Sequence, residues 1–221
     1  MKKAVFIDVD GTITDDLPSW EKIHQYFDTI DGMKLNSDKF WSGEFDYHTW
    51  AIKDIALWIG KPFNQIRSAL LPPKLLDGAR EGIQTLKTKG YDVFLISGGI
   101  DIFVKEVEKL VGADGSFGNS IGHDNNGIID GTYTEFVNTK TEIINELVQQ
   151  HNYDLTQCGA IGDNVNDIEM FNSVGFALAV NTNKEKVISA AQDTFKSKSF
   201  LEIVRHFLEK KEQFLKSDLI H

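Results

Sequence analysis

The chain has 221 residues, of which 41% are hydrophobic, so it is long enough for one sizeable domain with or without a smaller insert. Acidic side chains outnumber basic ones by 33 to 23, and the net charge of -10 disfavours a surface for nucleic acid or an anionic membrane. The single cysteine, Cys158, cannot form an intramolecular disulfide, which favours a reducing compartment and therefore the cytoplasm. No apolar run approaches the roughly 18 residues of a membrane-spanning helix, and the start of the chain does not resemble a signal peptide.

Short apolar runs alternate with helical patterns along most of the chain. The runs predict buried strands over residues 4–7, 91–96, 158–161 and 175–180. Helical periodicity predicts helices over residues 77–89 and near residues 100–111, 139–151, 184–191 and 199–210. This alternation predicts an α/β fold whose core is a Rossmann-like, doubly wound, mainly parallel sheet with helices on both faces.

Residues 15–76 interrupt this alternation, because they lack strand-like runs and contain helical segments such as PSWEKIHQYF and DYHTWAIKDIALWIG. We predict an inserted helical domain over residues 15–76, with a core built from residues 1–14 and 77–221. All the tryptophans of the chain lie in this insert, where their rings either form a small core or face a ligand: Trp20, Trp41, Trp50 and Trp58. A later segment, GNSIGHDNNGIIDGTYTEF, carries Asn-Gly and Asp-Gly turn signals and predicts one or two β-hairpins.

Two carboxylates follow the first predicted strand. Asp8 and Asp10 are two positions apart, so in an extended chain they point the same way from the carboxyl edge of the sheet, about 6–7 Å from each other. Open α/β sheets bind ligands at that edge. Two carboxylates this close require that one is protonated or that a cation lies between them. Gly11 allows the backbone to turn here, and Asp-Gly alone is equally typical of a simple turn.

Two more predicted strands end in polar groups. The second is followed by Ser97, Gly98 and Gly99 before a helix, a hydroxyl and backbone N–H arrangement that suits a phosphate. The third is followed by GDNVND, which places Asp163 and Asp167 at the same edge. Helix capping explains any one of these positions, but it does not explain three strands that each deliver oxygen ligands to one edge.

Lys140 is the candidate counter-charge for these acids. It begins a predicted helix in VNTKTEII, where a lysine is unfavourable for the helix dipole, so another group must hold it. An ordinary surface lysine is the alternative interpretation of Lys140 taken alone.

Four motifs in this order, DVDGT, LISGG, the lysine of NTKTEII and GDNVNDIEMF, resemble those of the haloacid dehalogenase superfamily. The helical insert between the first two motifs resembles the small cap of its phosphoserine-phosphatase-like branch. The resemblance extends over most of the chain and implies a phosphoric monoester hydrolase.

The resemblance also implies roles for individual residues. Asp8 would be the nucleophile that carries an aspartyl-phosphate, and Asp10 would be the general acid and then the general base. The Asp8 and Asp163 carboxylates and the Asp10 carbonyl would hold Mg²⁺, with Asp167 orienting that shell from outside. The groups that would hold the phosphoryl oxygens are Ser97, the backbone at Gly98, Lys140 and Asn166.

The substrate is not specified by this resemblance. Phosphoserine phosphatases resemble the chain but use a cap glutamate and a cap arginine, and the corresponding positions here are Leu17 and Asp54. Other charged residues of the insert could compensate: Asp15, Asp16, Glu21, Lys53 or Arg67. The aromatic-rich cap favours a less polar leaving group. We therefore expect a small phosphorylated metabolite as the partner, with phosphoserine phosphatase proper or a phosphotransferase as alternatives. Nucleic acid and membrane are not expected partners, and either a monomer or a homodimer is compatible with the sequence.

Overall fold

A computed structural model describes residues 2–135 and 139–218 of the chain. A seven-stranded sheet with the order β4-β3-β2-β1-β5-β6-β7 forms its centre. Every neighbouring pair is parallel except β3 and β4, which form one antiparallel hairpin. The strands are β1 (Lys3–Ile7), β2 (Tyr91–Ile100), β3 (Gly115–His123), β4 (Ile129–Thr134), β5 (Gly159–Gly162), β6 (Phe176–Val180) and β7 (Asp193–Phe195). The predicted α/β class with a mainly parallel sheet is confirmed.

Helices connect the strands and cover both faces of the sheet. They are α1 (Ser19–Phe27), α2 (Ile30–Trp41), α3 (Tyr47–Ala56), α4 (Asn64–Leu70), α5 (Ala79–Thr88), α6 (Asp101–Val111), α7 (Lys140–His151), α8 (Ile168–Asn172), α9 (Glu185–Ala190) and α10 (Phe200–Asp218). No helix among the described residues is both long and apolar enough to cross a bilayer.

The alternation of side chains along β1 builds two separate hydrophobic layers. Val5 and Ile7 pack into the larger apolar cluster, whereas Ala4 and Phe6 pack into a second cluster on the other face of the sheet. A strand that is buried on both faces reads as a continuous apolar run, as the segment AVFI does. The two layers explain why the sequence signal of this strand is strong.

The second strand is longer than the predicted residues 91–96. It continues through Ser97, Gly98 and Gly99 to Ile100, and α6 begins only at Asp101. The Ser-Gly-Gly group therefore lies inside an irregular strand end and not at the first turn of a helix, because β2 bulges in its pairing with β3 beyond Ile96. The short edge strand β7 was not predicted, and α10 extends beyond the predicted residue 210.

Residues 15–76 contain α1 to α4 and no named strand, so the predicted helical character is present. The aromatic rings differ in burial, and part of them form the predicted core. Trp58 is fully buried in the main cluster and Trp20 packs against it, whereas Trp41 is 71% exposed. The segment also pairs its backbone with the β3–β4 hairpin, through Phe63 N–H to the Gly127 carbonyl at 2.8 Å. The division into a core and a cap domain stays a prediction.

Candidate active site

Three carboxylates converge at the carboxyl edge of the sheet. Asp8 follows β1, Asp163 follows the neighbouring strand β5, and Asp167 ends the short 3-10 helix after it. One oxygen of each lies within 4.8 Å of the others. The parallel pairing of β1 with β5, Ile7 beside Ile161, brings these sequence-distant acids to the same level.

Lys140 lies among these acids. It is the first residue of α7, 3% exposed, and its Nζ donates to Asp8 Oδ1 at 2.5 Å and to Asp167 Oδ1 at 2.6 Å. Burial alone would lower the pKa of Lys140, but the charges of Asp167 and Asp8 outweigh burial and raise it above its ordinary value. The two carboxylates are the groups that compensate a lysine at an unfavourable helix position.

Asp167 is held from both sides. Its Oδ1 accepts from Lys140, and its Oδ2 accepts the backbone N–H groups of Asp163 and Asn164 at 2.8 and 2.9 Å. With both oxygens in use, Asp167 is placed to orient the loop of Asp163. Asp163 in turn accepts from the Thr12 hydroxyl at 2.9 Å.

The donor set fits a divalent cation. Three carboxylates and one ammonium group leave two formal negative charges unmatched in a largely buried space. Among the described residues, no group donates a hydrogen bond to Asp8 Oδ2 or Asp163 Oδ2, so both oxygens are available as ligands. Burial raises the pKa of Asp8 well above its ordinary value and that of Asp163 to about 6, and the charge of Asp167 adds to both shifts. Hard oxygen ligands of this kind suit Mg²⁺.

Asp10 belongs to a second group of contacts beside the first. Its Oδ1 accepts the Ser19 backbone N–H at 3.1 Å, and its Oδ2 accepts the hydroxyls of Ser19 and Ser97, each at 3.4 Å. Burial raises the pKa of Asp10 to about 6, although the hydrogen bonds from Ser19 and Ser97 oppose the shift. The Asp10 carboxyl can therefore gain and lose a proton near neutral pH.

Gly98 and Asn166 meet at the same edge. The Gly98 carbonyl accepts hydrogen bonds from Trp20 Nε1, the Tyr47 hydroxyl and Asn119 Nδ2, at 3.1, 2.9 and 3.1 Å. A Cβ at Gly98 would lie 3.8 Å from Asn166 Nδ2. All the residues predicted for the site thus lie at this edge of the sheet.

Three residues at the edge were missed by sequence reasoning: Thr12, Ser19 and Asn119. Two more, Trp20 and Tyr47, were recognised only as aromatic residues of the insert. Thr12 is part of the DVDGT motif and could have been proposed from it. The contacts of the other four carry no local signal, because they depend on how the helical segment and the hairpin pack on the sheet.

Leu17 and Asp54, the positions that correspond to the cap glutamate and arginine, differ in their surroundings. Leu17 is 40% exposed. Asp54 is 1% exposed, accepts from Asn36 Nδ2 at 2.8 Å, and lies 3.4 Å from His24 Nε2. Asp54 therefore contacts other residues of the helical segment.

Comparison with known proteins agrees with this geometry. A family model of haloacid dehalogenase-like hydrolases matches residues 2–175, more than half of the chain. The chain belongs to this family. It is 27% identical to a phosphoserine phosphatase of Methanocaldococcus jannaschii over 185 residues, 80% of this chain and 85% of that one. It is also 27% identical to a phosphoserine phosphatase of Streptomyces coelicolor, covering 94% of this chain but only 50% of that longer protein.

Comparison with solved structures also indicates the phosphoserine-phosphatase-like branch. A phosphoserine phosphatase solved as a phospho-aspartyl intermediate analogue superposes with a TM-score of 0.81 and 25% identity, covering 93% of this chain and 99% of the other. The resemblance to the phosphoserine-phosphatase-like branch is confirmed, and with it the assignment as an enzyme of the phosphoric monoester hydrolase class.

Proposed function

We propose that the protein hydrolyses the phosphate monoester of a small metabolite through an aspartyl-phosphate on Asp8. The observation that carries the proposal is the buried contact of Lys140 with Asp8 and Asp167, beside the available oxygens of Asp8 and Asp163. A nucleophilic carboxylate, an ammonium group and a divalent-cation site at one sheet edge are the parts that phosphoryl transfer requires.

In the first step, Asp8 Oδ attacks phosphorus while the bond from phosphorus to the ester oxygen breaks. Asp10 donates its proton to the departing oxygen, so the alcohol leaves neutral. In the second step, Asp10, now ionised, takes a proton from water as the water oxygen attacks phosphorus. The bond between Asp8 and phosphorus breaks, which releases inorganic phosphate, returns Asp8 to its carboxylate and leaves Asp10 protonated as at the start.

Electrostatics explains why Lys140 is needed beside the nucleophile. Two like unit charges 4 Å apart repel by about 4 kcal/mol at an effective dielectric near 20, so an ionised Asp8 and a phosphate dianion repel strongly. Lys140 offsets part of this repulsion from its fixed position. Asp8, Asp163 and the Asp10 carbonyl would hold Mg²⁺, which would supply the remaining positive charge for the phosphoryl oxygens.

We propose Ser97, the backbone at Gly98, Lys140 and Asn166 as the groups that hold the phosphoryl oxygens. The Ser97 hydroxyl contacts Asp10, which places it beside the proposed general acid. Lys140 supports the assignment through its buried ammonium group, and Asn166 through an exposed amide beside Gly98. We place the reaction in the cytoplasm, in keeping with one buried, unpaired cysteine.

The leaving group is the open part of the proposal. Phosphoserine is the second candidate, because the relatives from M. jannaschii and S. coelicolor are phosphoserine phosphatases. Against it, Leu17 offers no charge to an ammonium group, and Asp54 is engaged by Asn36 and His24. We keep a less polar ester as the first candidate because the helical segment is rich in aromatic residues. Two of them, Trp20 and Tyr47, reach this edge, where their polar atoms donate to the Gly98 carbonyl.

A panel of phosphorylated metabolites and one aryl phosphate, scored by inorganic phosphate released, tests the activity. We expect the aryl phosphate to be hydrolysed with Mg²⁺, and Asp8→Asn or a chelator to abolish the release. The matched control is Asp38→Asn, an exposed acid on α2, which should keep full activity. Turnover by Asp8→Asn would contradict the proposed nucleophile, and phosphoserine as the best substrate would select the second candidate.

A further inference from the structure

The backbone of residues 97–100 leaves the regular ladder of the sheet. Ile96 pairs with Phe117 and Ile100 pairs with Asn119, so four steps along β2 match only two steps along β3. Backbone N–H and carbonyl groups in such a bulge lose their strand partners, and buried ones need others. Their partners show what fixes the shape of this segment.

The helical segment supplies several of these partners. The Ile100 N–H donates to Ser19 Oγ at 3.1 Å, and the Gly98 carbonyl accepts from Trp20 Nε1 and the Tyr47 hydroxyl. Ser19 also donates its N–H and hydroxyl to Asp10. Asp10 thereby satisfies a backbone donor in the first turn of α1, one of those that a helix leaves unpaired at its start. Three side chains of α1 and α3 thus reach the edge of the sheet.

We propose that Ser19, Trp20 and Tyr47 are positioning residues that hold Asp10 and the backbone of residues 98–100 in the geometry that binds the phosphoryl group. This inference rests on the proposed function, because it assumes that this segment binds phosphate. If these roles hold, the affinity for phosphate depends on how α1 and α3 pack against the sheet. None of these side chains belongs to the four motifs that indicated the activity.

Close packing leaves the segment little freedom while the helices are docked. A Cβ at Gly99 would lie 2.5 Å from both Asp10 Oδ2 and Ser19 Oγ. The Gly99 N–H donates to Ser97 Oγ at 2.9 Å, so the Ser97 hydroxyl also has a fixed orientation. Loss of the Ser19 hydroxyl would therefore remove a hydrogen bond from both Ile100 and Asp10 and increase the mobility of both.

The polar contacts can be removed with little change in packing. Tyr47→Phe deletes one hydroxyl and keeps the ring, which packs against Trp50 at a centroid distance of 6.0 Å. Ser19→Ala deletes the hydroxyl that contacts both Asp10 and Ile100. Two controls remove the same atoms elsewhere in the helical segment: Tyr26→Phe and Ser68→Ala, both at exposed positions.

The first measurement is amide hydrogen exchange of residues 97–101 in the full chain. We expect Ser19→Ala to accelerate exchange in this segment about fivefold, the effect of one lost net hydrogen bond. Tyr47→Phe should act less, because the Gly98 carbonyl keeps the donors on Trp20 and Asn119. Exchange in β1 should match that of the control variants, and the melting temperature should fall by no more than about 2–4 °C, the shift expected for one lost hydrogen bond in a chain of this size.

The second measurement is steady-state hydrolysis of an aryl phosphate with inorganic phosphate as competitive inhibitor. We expect Ser19→Ala to raise the phosphate inhibition constant and KM about fivefold, which corresponds to the same lost hydrogen bond. Exchange and inhibition constants equal to those of the controls would overturn the positioning roles. A wild-type protein that releases no phosphate from any ester would instead contradict the proposed function, and the phosphate part of this inference with it.

Discussion

Lys140 shows how a residue can occupy a locally unfavourable position because of its distant partners. A lysine at the first position of α7 opposes the helix dipole, an effect of about 0.3–1 kcal/mol. Its contacts with Asp8 and Asp167 are short and buried, and a buried pair that loses one partner costs about 3–5 kcal/mol. The distant acids therefore decide the position of Lys140.

This balance predicts the effect of Lys140→Met. Two buried carboxylates would lose their ammonium partner, so we expect a loss of about 3 kcal/mol of stability at pH 8. The loss should be smaller at pH 5, because burial raises the pKa of Asp8 and its protonation relieves the charge. Turnover should fall about 100- to 1000-fold, as when one preorganised charge is removed from an active site. Denaturant unfolding and steady-state kinetics measure both effects.

The control for Lys140→Met is Lys105→Met, which breaks the exposed pair with Asp101. It should change stability by less than about 0.5 kcal/mol and leave turnover unchanged. A Lys140→Met variant that behaves like this control would show that the ammonium group is dispensable.

Lys211 is a second buried lysine, and it lies outside the site. Its Nζ donates to the Cys158 carbonyl at 2.8 Å, and burial lowers its pKa from 10.5 to about 8. A lowered lysine pKa means that the unfolded chain holds more protons between pH 8 and 10.5, so this group makes the fold more stable as pH rises through that range.

Lys211→Met should remove that dependence. We expect the variant to be about 1–2 kcal/mol more stable than the wild type at pH 7, because an apolar chain of similar length replaces a buried charge. The advantage should shrink towards pH 10. Thermal unfolding at several pH values measures it, with the half-buried neighbour Lys210→Met as the control. A constant difference across pH would contradict the assigned cause.

At the scale of elements, the sequence predicts those site residues that directly follow a strand. Asp8 and Asp163 follow neighbouring parallel strands, so strand prediction alone placed them at one edge. Lys140 was predicted as their partner from its poor helix position, and the structure shows the contact.

The remaining contacts depend on packing between elements. Ser19 and Tyr47 reach Asp10 and Gly98 only because α1 and α3 dock beside β2, and neither residue stands out in the sequence. The bulge of β2 beyond Ile96 was missed for a similar reason, because strand periodicity does not reveal where pairing changes. Long-range docking is the information that the sequence pattern lacks.

The close contact between β5 and α10 leaves no space for a side chain at Gly159. A Cβ at Gly159 would lie 2.3 Å from Phe207 Cζ, and the ring is fully buried. We expect Gly159→Ala to cost about 1–3 kcal/mol, the usual range for overpacking a core. The smaller side chain in Phe207→Leu should recover part of this loss in the double variant, which a double-mutant cycle from denaturant unfolding measures. Additive effects would contradict direct steric contact.

At the scale of the whole molecule, the site concentrates uncompensated negative charge in a fold that is already acidic. The chain carries a net charge of -10, and the acids around Lys140 leave two negative charges unmatched. Burial raises the pKa of Asp8 well above its ordinary value, and those of Asp10 and Asp163 to about 6. In the metal-free protein, these acids bind more protons when folded than when unfolded.

This difference in bound protons between the folded and unfolded states decides how stability changes with pH. A raised carboxyl pKa contributes stability that is fully present below about pH 4 and is lost as pH rises through the folded pKa, near 6 for Asp163. Exposed acids such as Asp46 and Asp124 have lowered pKa values and oppose this trend. The contribution of the site is therefore isolated by comparing wild type with Asp163→Asn at each pH.

A divalent cation should reverse this loss of stability at higher pH, because it binds the ionised acids of the folded state. Once its concentration exceeds Kd, each tenfold increase in Mg²⁺ adds about 1.4 kcal/mol to stability. We expect the difference in melting temperature between Mg²⁺ and a chelator to be near zero at pH 4 and largest above pH 7. Asp163→Asn should nearly abolish it, whereas the exposed control Asp38→Asn should keep it. A Mg²⁺ effect that is independent of pH, or that persists in Asp163→Asn, would place the cation elsewhere on this acidic molecule.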